Sequence, residues 1–370
     1  MIRNILIAAL GALLVSTVHA QSSNVAIYGI VDVGGSWFSN IGSKSSLRMA
    51  SGISAPSFLG FRGEEDLGGG AKTIFDLESQ FAVSNGAAIG NVFGRNAWAG
   101  FETREFGSIK FGDQFDFMND SLTMADLVPA KFAGGLPNYP TGPAQFARLN
   151  HPGYGPFAGY FDWDRTAQES VHSAIKYTTP QLGGFSSGIM YGFGEKGSNQ
   201  GNTLSFGANY KSDPWCIGLA YTAVRAITGM DGTHAGFRTW GAGGNYRFGK
   251  LLAIADATTT RNIINHAAIW QASFGVFYPF DNAWSTGIAY TYMKGNRVLF
   301  NTHANQLGAS VNYSFSKRTT AYFSMTYQMA NNGANALING IYSEGTLPTT
   351  AAASSSNQQT MLRIGLRHLF

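Results

Sequence analysis

The residue types that most often catalyse reactions or bind metals are not spaced here as such sites require. Seven histidines occur, and no two of them are separated as in a His-x-x-x-His metal motif. The glycine-rich run GEEDLGGG, 63–70, lacks the Gly-Lys-Ser/Thr that grips phosphates and is better explained as a tight turn. His172 has Ser170 and Ser173 nearby, but no Gly-x-Ser-x-Gly elbow accompanies them. We therefore expect no catalytic residues, no metal and no cofactor. The histidines of the mature chain are His151, His172, His234, His266, His303 and His368.

Charged residues show a clearer pattern, in the stretch FLGFRGEEDLGGGAKTIFDLES at 58–79. Leu59 and Phe61 alternate with Arg62 and Glu64, and the same alternation resumes after three glycines. Because successive side chains of a strand point to opposite faces, one face of this hairpin is apolar and the other is charged. Charges spread along a strand face do not converge on one reacting atom. We expect these charged side chains to contact water and dissolved ions instead.

Similar alternation recurs along the whole chain and predicts about sixteen antiparallel strands. Short connections alternate strictly with long ones, which is typical of up-and-down hairpins with tight turns at one rim and large loops at the other. An even strand count places both termini at the tight-turn rim. We place the strands near 24–36, 57–67, 71–83, 92–103, 107–115, 171–179, 185–194, 204–211, 215–224, 237–248, 250–260, 268–278, 283–294, 302–315, 319–330 and 360–370.

The composition agrees with a strand-rich protein outside the cytosol. The 370 residues include 47 glycines and are 44% hydrophobic but only 12% charged, against about 25% charged in an average soluble domain. The one cysteine, Cys216, allows no internal disulfide. A formal net charge of +4 is too small and too scattered to indicate nucleic-acid binding.

The first twenty residues differ from the rest. Arg3 gives a positive start, 5–15 is an apolar run, and the segment ends in Val18-His19-Ala20. This order is typical of a secretory signal peptide, so we assign 1–20 to a leader and 21–370 to one β-barrel. The alternative for the leader is a short buried helix.

The face that meets water can be inferred from the two strand faces. Apolar faces carry aromatic residues near strand ends, as at Trp215 and Tyr221, which matches the aromatic girdles of a bilayer. The opposite faces carry Gly, Ser, Asn and Arg; burying Arg363 unpaired would cost several kcal/mol. A barrel of sixteen strands is also wide enough to enclose water. The sequence therefore predicts an all-β transmembrane antiparallel barrel whose polar face lines a lumen.

Several motifs resemble the general porins of Gram-negative outer membranes, of the beta-proteobacterial type. They are GEEDLGGGAKTIFDLES, FGRNAWAGF, FGSIKFGDQ and a last strand ending in Phe370. The resemblance implies a homotrimer in the outer membrane, forming a water-filled channel for passive diffusion of small hydrophilic solutes and ions. It implies contact with outer-membrane lipid and lipopolysaccharide. It also implies that the barrel assembly machinery reads Phe370.

The same resemblance implies a third loop, 116–170, that folds into the lumen and sets the pore size. Where the family usually carries an arginine, this chain has Phe58, so we expect only weak ion selectivity. Asp113 has outward parity and is expected at a neighbouring subunit or the loop root. The expected wall residues are Phe58, Arg62, Lys72 and Arg95, and the expected loop anions are Asp116, Asp120 and Asp126. The alternative is that these charges are ordinary rim or loop residues.

Other functions stay open at this stage. The loop stretch 137–165 is rich in aromatic residues, Pro and Gly. It either contacts aromatic or sugar-like solutes in a substrate-preferring channel or anchors the loop to the wall. An outer-membrane barrel hydrolase and a structural adhesin barrel are further alternatives.

Overall fold

The computed structural model describes residues 23–135, 142–149, 162–167, 169–194, 201–228, 234–338 and 353–370. The predicted leader, 1–20, and most of the aromatic stretch 137–165 lie outside these residues. Within them, no helix is both long enough and apolar enough to cross a bilayer.

The described chain forms one antiparallel sheet of seventeen strand segments. These are β1 Ser23–Ile41, β2 Lys44–Ser51, β3 Phe58–Gly68, β4 Ala71–Gln80, β5 Asn96–Thr103, β6 Gly107–Phe115, β7 Ser170–Thr178, β8 Phe185–Gly192, β9 Thr203–Ser212, β10 Trp215–Thr228, β11 His234–Phe248, β12 Leu251–Asn262, β13 Ala268–Pro279, β14 Trp284–Gly295, β15 His303–Ser314, β16 Thr319–Ala330 and β17 Gln358–Leu369.

The sheet closes on itself through its first and last strands. Ile30–Phe38 of β1 pairs with Met361–Leu369 of β17. On its other side, β1 pairs with β3 through 23–30 and with β2 through 33–41. Because β2 and β3 both pair with β1, one after the other along its length, they count as one strand position, and the barrel has sixteen. The predicted antiparallel barrel of about sixteen strands is confirmed.

One part of the strand prediction is wrong. We expected 39–56 to be a loop, but β1 runs on to Ile41 and turns through Gly42 and Ser43 into β2. Both turn residues have positive φ, at 54° and 84°. Ser and Gly obscure the alternation in this segment. The strands were also predicted too long around 81–95, where β4 ends at Gln80 and β5 begins at Asn96.

The two faces of the barrel differ as the alternation predicts. The large exposed apolar side chains of the strands share one parity and point outward, among them Trp215, Trp240, Trp270 and Trp284. Inward positions carry mainly Gly, Ser, Thr, Gln and Asn. The polar face therefore encloses the lumen and the apolar face is left for lipid.

A stripe of inward-facing glycines receives the first part of the third loop. The loop contains the helical turns Asn119–Thr123 and Pro129–Phe132, which sequence patterns did not predict. A Cβ added at Gly218 would lie 2.2 Å from the Ser121 carbonyl oxygen. The absence of side chains thus lets the loop lie flat against the inner wall. Among the described residues, a Cβ added at seven more inward glycines would lie 2.3–3.0 Å from atoms of 117–134: Gly188, Gly207, Gly241, Gly243, Gly275, Gly287 and Gly308.

Polar wall groups hold this loop as well. The Asn209 amide donates to the Ser121 carbonyl oxygen at 2.8 Å, and the Ser310 hydroxyl donates to that of Ala133 at 3.0 Å. Satisfying loop carbonyls with wall donors removes the cost of burying them.

At the long-loop rim the inner face becomes apolar. Residues 144–149 and 334–338 fold over this end and share a buried cluster with inward side chains of the strands, such as Phe237 and Met293. Phe146 and Trp163 are fully buried there, with ring centroids 6.3 Å apart. For these two aromatic residues of the third loop, anchoring to the wall is the role that the contacts support.

A buried ion pair lies beside the seam of the barrel. Arg363 of β17 is paired with Asp32 of β1 at 3.4 Å and donates to the Tyr322 hydroxyl at 2.7 Å. Asp32 also accepts from the backbone N–H groups of Ser54 and Ala55 at 2.6 and 2.9 Å. The arginine that we expected to face lumen water is therefore buried but fully partnered. These hydrogen bonds hold the connection between β2 and β3, residues 52–57, against the barrel wall.

Candidate functional site

The loop covers the inner wall formed by β7–β15 and leaves the wall of β3–β6 uncovered. Across these strands the inward side chains run in register. Arg62 lies opposite Asp76, and Asp76 lies opposite Trp98. A pocket of about 380 Å³ opens on this row and is also lined by Glu102 and Lys110. Charges of both signs and an aromatic ring thus face the space between wall and loop.

Tyr28 of β1 connects the charges at one end of the row. Its hydroxyl is 2.6 Å from the Asp76 carboxylate and 2.7 Å from that of Glu78. The Arg62 guanidinium carbon lies 4.1 Å from the centroid of its ring, within the range of a cation–π interaction. Arg62 itself is exposed, so its charge faces water.

Arg95 and Phe58 form a packed unit rather than an open charge. Arg95 is only 7% exposed and its Nε lies 3.1 Å from the Glu78 carboxylate. Its guanidinium carbon is 4.6 Å from the centroid of Phe58 and 5.5 Å from that of Phe115. Phe58 is 7% exposed and lies under this group. Glu78 therefore neutralises most of the Arg95 charge.

Lys110 and Lys176 form a like-charge pair directly opposite each other on β6 and β7. Asp120 of the loop binds Lys176 at 2.5 Å, and Lys176 is buried beneath the loop. Lys110 instead lies 4.1 Å from the centroid of the Trp98 ring and makes no ion pair within the described part of the chain. Lys110 is therefore a cation of the lumen wall that shares its pocket with Asp76 and Glu102 but makes no contact ion pair among the described residues.

The three loop aspartates have different surroundings. Asp116 is fully buried and binds the Nε of Arg165 at 2.5 Å, while Arg165 also reaches Glu169 at 3.0 Å. Burial acts to lower the pKa of Arg165, but Glu169 and Asp116 outweigh it and hold the pKa above its usual value. This group is a permanent ionic anchor at the loop root. Asp120 is paired with Lys176 as described above, and Asp126, at φ 58°, is exposed.

A further acid lies buried beside this anchor. Asp162 accepts from the Ala167 backbone N–H at 2.7 Å, and its Oδ2 has no partner among the described residues. Burial raises the pKa of Asp162, and the neighbouring Glu169 carboxylate adds to that shift.

Three other candidates lie away from the uncovered wall. Lys72 is held between Glu64 and Glu102 near the β3–β4 turn, at 3.1 and 3.2 Å. Asp113 points outward and contacts the His172 ring nitrogen at 2.6 Å. Phe370 is also exposed on the outer face.

Phe370 is placed by its contact with Gly29. The two residues exchange backbone hydrogen bonds of 3.2 Å, and a Cβ at position 29 would lie 2.6 Å from the ring. The terminal residue therefore closes the end of the seam between β17 and β1.

Sequence reasoning missed four residues of the wall: Tyr28, Asp76, Trp98 and Lys110. Each has the inward parity of its strand, so parity alone could have identified it as lumen-facing. The ion pairs that remove Arg95 and Asp116 from open water connect distant segments. No local pattern indicates them.

The fold and the lumen wall agree with comparisons to known proteins. A profile of the Gram-negative porin family matches residues 7–334. The chain belongs to the Gram-negative porin family. It is therefore an outer-membrane channel and not an enzyme.

Individual relatives extend this result over the whole chain. Outer membrane porin protein 32 of Delftia acidovorans is 26% identical over 374 residues, with 98% of each chain covered. An outer membrane porin protein of Bordetella pertussis is 28% identical over 295 residues, covering 70% of this chain and 69% of that protein.

Solved structures share the fold. An anion-selective porin from Comamonas acidovorans superposes with a TM-score of 0.76 at 22% identity, covering 94% of this chain and 100% of that one. OmpT of Vibrio cholerae, in a trimer form, gives a TM-score of 0.65 at 15% identity, covering 94% and 100%. Both likenesses support the barrel of this porin.

The loop-root anchor leads to a first prediction. Replacing Arg165 by Ala leaves the Asp116 carboxylate buried without its cation, which typically costs about 3–5 kcal/mol. We expect a lower thermal unfolding midpoint and larger, noisier single-channel conductance, because the loop is no longer fixed. Both are measured on purified protein, the second in planar bilayers.

Arg104→Ala, at the exposed β5–β6 turn, is the matched control and should change neither quantity. The double variant Asp116→Asn/Arg165→Met should recover part of the stability. An Arg165→Ala channel with wild-type stability and conductance would contradict the anchoring role.

Proposed function

We propose that this porin is a passive diffusion channel whose narrowest passage lies between the loop segment 116–135 and the wall of β3–β6. The observation that carries the proposal is the one-sided seating of the loop, which lies on the glycine stripe and leaves the charged row uncovered. Solutes would cross this passage between Arg62 and Lys110 on the wall and the loop surface that carries Asp126. No concentrated binding site spans it in the described residues, which suits diffusion of small hydrophilic solutes.

Ion preference in this proposal is weak, because the charges of the wall balance. Glu78 neutralises Arg95, whereas Glu64 and Glu102 together exceed Lys72 by one negative charge. Arg62, Lys110 and Asp76 add two positive charges and one negative charge, so the sum over these wall residues is zero. The field at the passage then depends on where each charge lies. Salt screens it, because the Debye length falls from about 10 Å at 0.1 M to about 3 Å at 1 M.

Charge reversal at Lys110 tests this proposal. Lys110→Glu changes the local balance by two charges, so we expect the zero-current potential in a tenfold KCl gradient to move toward cation preference. The shift should be clear near 0.1 M salt and small near 1 M. Lys317→Glu, in the exposed β15–β16 turn, is the control with the same charge change. Equal potentials for wild type and Lys110→Glu would place the narrowest passage elsewhere.

A second candidate function is a preference for aromatic carboxylates, which the 380 Å³ pocket supports. The Trp98 ring offers a flat face, and Lys110 and Arg62 offer cations for a carboxylate. This narrows the substrate-preferring alternative derived from the sequence, and it uses the wall rather than the aromatic loop.

Flux through liposomes carrying the porin separates the two functions. If the pocket selects solutes, benzoate should permeate faster than cyclohexanecarboxylate, which has the same charge and nearly the same size. Trp98→Leu should then abolish the difference, whereas Phe101→Leu, on the outward face of the same strand, should preserve it. Equal rates for both acids in the wild type would leave the non-specific channel as the function.

We also propose that the porin assembles as a homotrimer, as the trimer form of the Vibrio cholerae neighbour suggests. The outward Asp113–His172 pair is a polar contact suited to an interface between subunits. The native mass of the detergent-solubilised protein tests this assembly. We expect three chains per particle, and a monomeric particle would contradict it.

A further inference from the structure

One tyrosine hydroxyl of the lumen wall contacts two carboxyl groups at once. The Tyr28 oxygen lies 2.6 Å from Oδ1 of Asp76 and 2.7 Å from Oε1 of Glu78. Both distances are those of direct O–H···O hydrogen bonds. A phenol carries one hydrogen and an ionised carboxylate carries none. Because a hydrogen shared between two acceptors would lengthen both contacts, two short contacts require two hydrogens.

The ring of Tyr28 is held in this position by the neighbouring strand. Gly60 of β3 is the register partner of both Tyr28 and Glu78, and a Cβ added there would lie 2.6 Å from the ring. The absent side chain lets the ring lie across β3 and reach β4. Phe58 packs edge-on, with ring centroids 5.6 Å apart, and Arg62 covers one face of the ring. The two carboxyl contacts therefore belong to a packed arrangement.

The contacts of Glu78 indicate which carboxyl group carries the second hydrogen. Oε2 of Glu78 accepts from Arg95 Nε at 3.1 Å and from Asn96 Nδ2 at 3.0 Å. With Tyr28 at the other oxygen, Glu78 accepts on both sides, as an ionised carboxylate does. Asp76 makes no contact ion pair among the described residues. The additional hydrogen therefore fits on Oδ1 of Asp76.

Charged and polar groups on every neighbouring strand face Asp76. The nearest carboxylate, across the Tyr28 hydroxyl, opposes a second negative charge, and the two nearest cations act in the other direction. Each cation lies over an aromatic ring, Arg62 over Tyr28 and Lys110 over Trp98, so neither contacts Asp76 directly. The facing groups are Tyr28 of β1, Arg62 and Glu64 of β3, Glu78 of β4, Trp98 and Glu102 of β5 and Lys110 of β6.

We propose that Asp76 binds a proton at neutral pH and shares it with Glu78 through Tyr28. Asp76 donates to the Tyr28 oxygen, and the Tyr28 hydroxyl donates to Glu78. The effect on permeation rests on the passage proposed above, because the proton removes one negative charge from that wall. Since the wall charges otherwise balance, one positive charge is then in excess. The wall weakly prefers anions while the proton is bound and loses that preference when the proton leaves.

Infrared difference spectra test the bound proton without any measurement of current. A protonated carboxyl group absorbs at a higher C=O stretching frequency than a carboxylate. At neutral pH, the spectrum of the full-length, detergent-solubilised porin minus that of Asp76→Asn should show one protonated carboxyl group. Glu102→Gln is the matched control from the same pocket. Because Glu102 is paired with Lys72, this control should remove only a carboxylate band.

Zero-current potentials in planar bilayers test the effect on permeation. At neutral pH, Asp76→Asn should match the wild type, because the amide replaces an uncharged group and can still donate to Tyr28. Glu102→Gln should move the potential toward anion preference, because it removes a negative charge from the same pocket. As higher pH removes the protonated-carboxyl band, the wild type should move toward cation preference relative to Asp76→Asn.

Tyr28→Phe tests the role of the tyrosine. In the protonated arrangement the hydroxyl makes two hydrogen bonds, whereas in the ionised arrangement its single hydrogen serves one carboxylate. Removing the hydroxyl should therefore weaken proton binding by about fivefold, which corresponds to one neutral hydrogen bond. The protonated-carboxyl band should then disappear at a lower pH than in the wild type. An unchanged titration of this band would contradict the sharing through Tyr28.

Two further results would overturn the proposal. One is a difference spectrum without a protonated carboxyl group. The other is a neutral-pH potential of Asp76→Asn that is shifted toward anion preference as far as that of Glu102→Gln. Failure of the proposed passage would look different. In that case Glu102→Gln and Lys110→Glu would both leave the potential unchanged, while the infrared band would still show the bound proton.

Discussion

Every strand of this porin depends on one constraint: in hydrocarbon, each backbone N–H and C=O must find its partner within the protein. Pairing of β1 with β17 meets that constraint by removing both sheet edges. The chain end is placed by the same requirement, since Phe370 and Gly29 exchange the last backbone hydrogen bonds. Closure also creates the lumen, because a ring of sixteen strand positions is too wide for side chains to fill.

A wide lumen then needs something inside it to set the passage, and that element must also have its polar groups satisfied. The wall solves both problems with small residues. Glycines such as Gly218 and Gly287 let the loop backbone reach the wall, and Asn209 and Ser310 donate to its carbonyl oxygens. The same glycines that weaken strand propensity therefore have a packing reason at these positions.

Period-two alternation was sufficient to predict the closed barrel, the strand order and the face that meets water. It was insufficient for β2, where serines blur the pattern. It also failed for the loop, whose helical turns are set by contacts with distant strands. Lys110 and Trp98 could have been identified as lumen-facing by parity. The burial of Asp116 with Arg165 could not have been predicted, because the residue type gives the charge of a side chain but not its partner.

This difference matters for permeation, since a channel responds to the charges that remain free rather than to those that are present. The sequence predicts that Arg95 and Asp116 contribute to the field of the pore. In the structure each lies against an opposite charge and is shielded from water. Asp120 pairs with Lys176, and the cross-strand neighbour Lys110 has no contact ion pair among the described residues. The loop thus acts on the field in two ways. It covers one part of the wall. Because its Asp120 binds Lys176, Lys110 is the lysine of this pair that remains available to solutes.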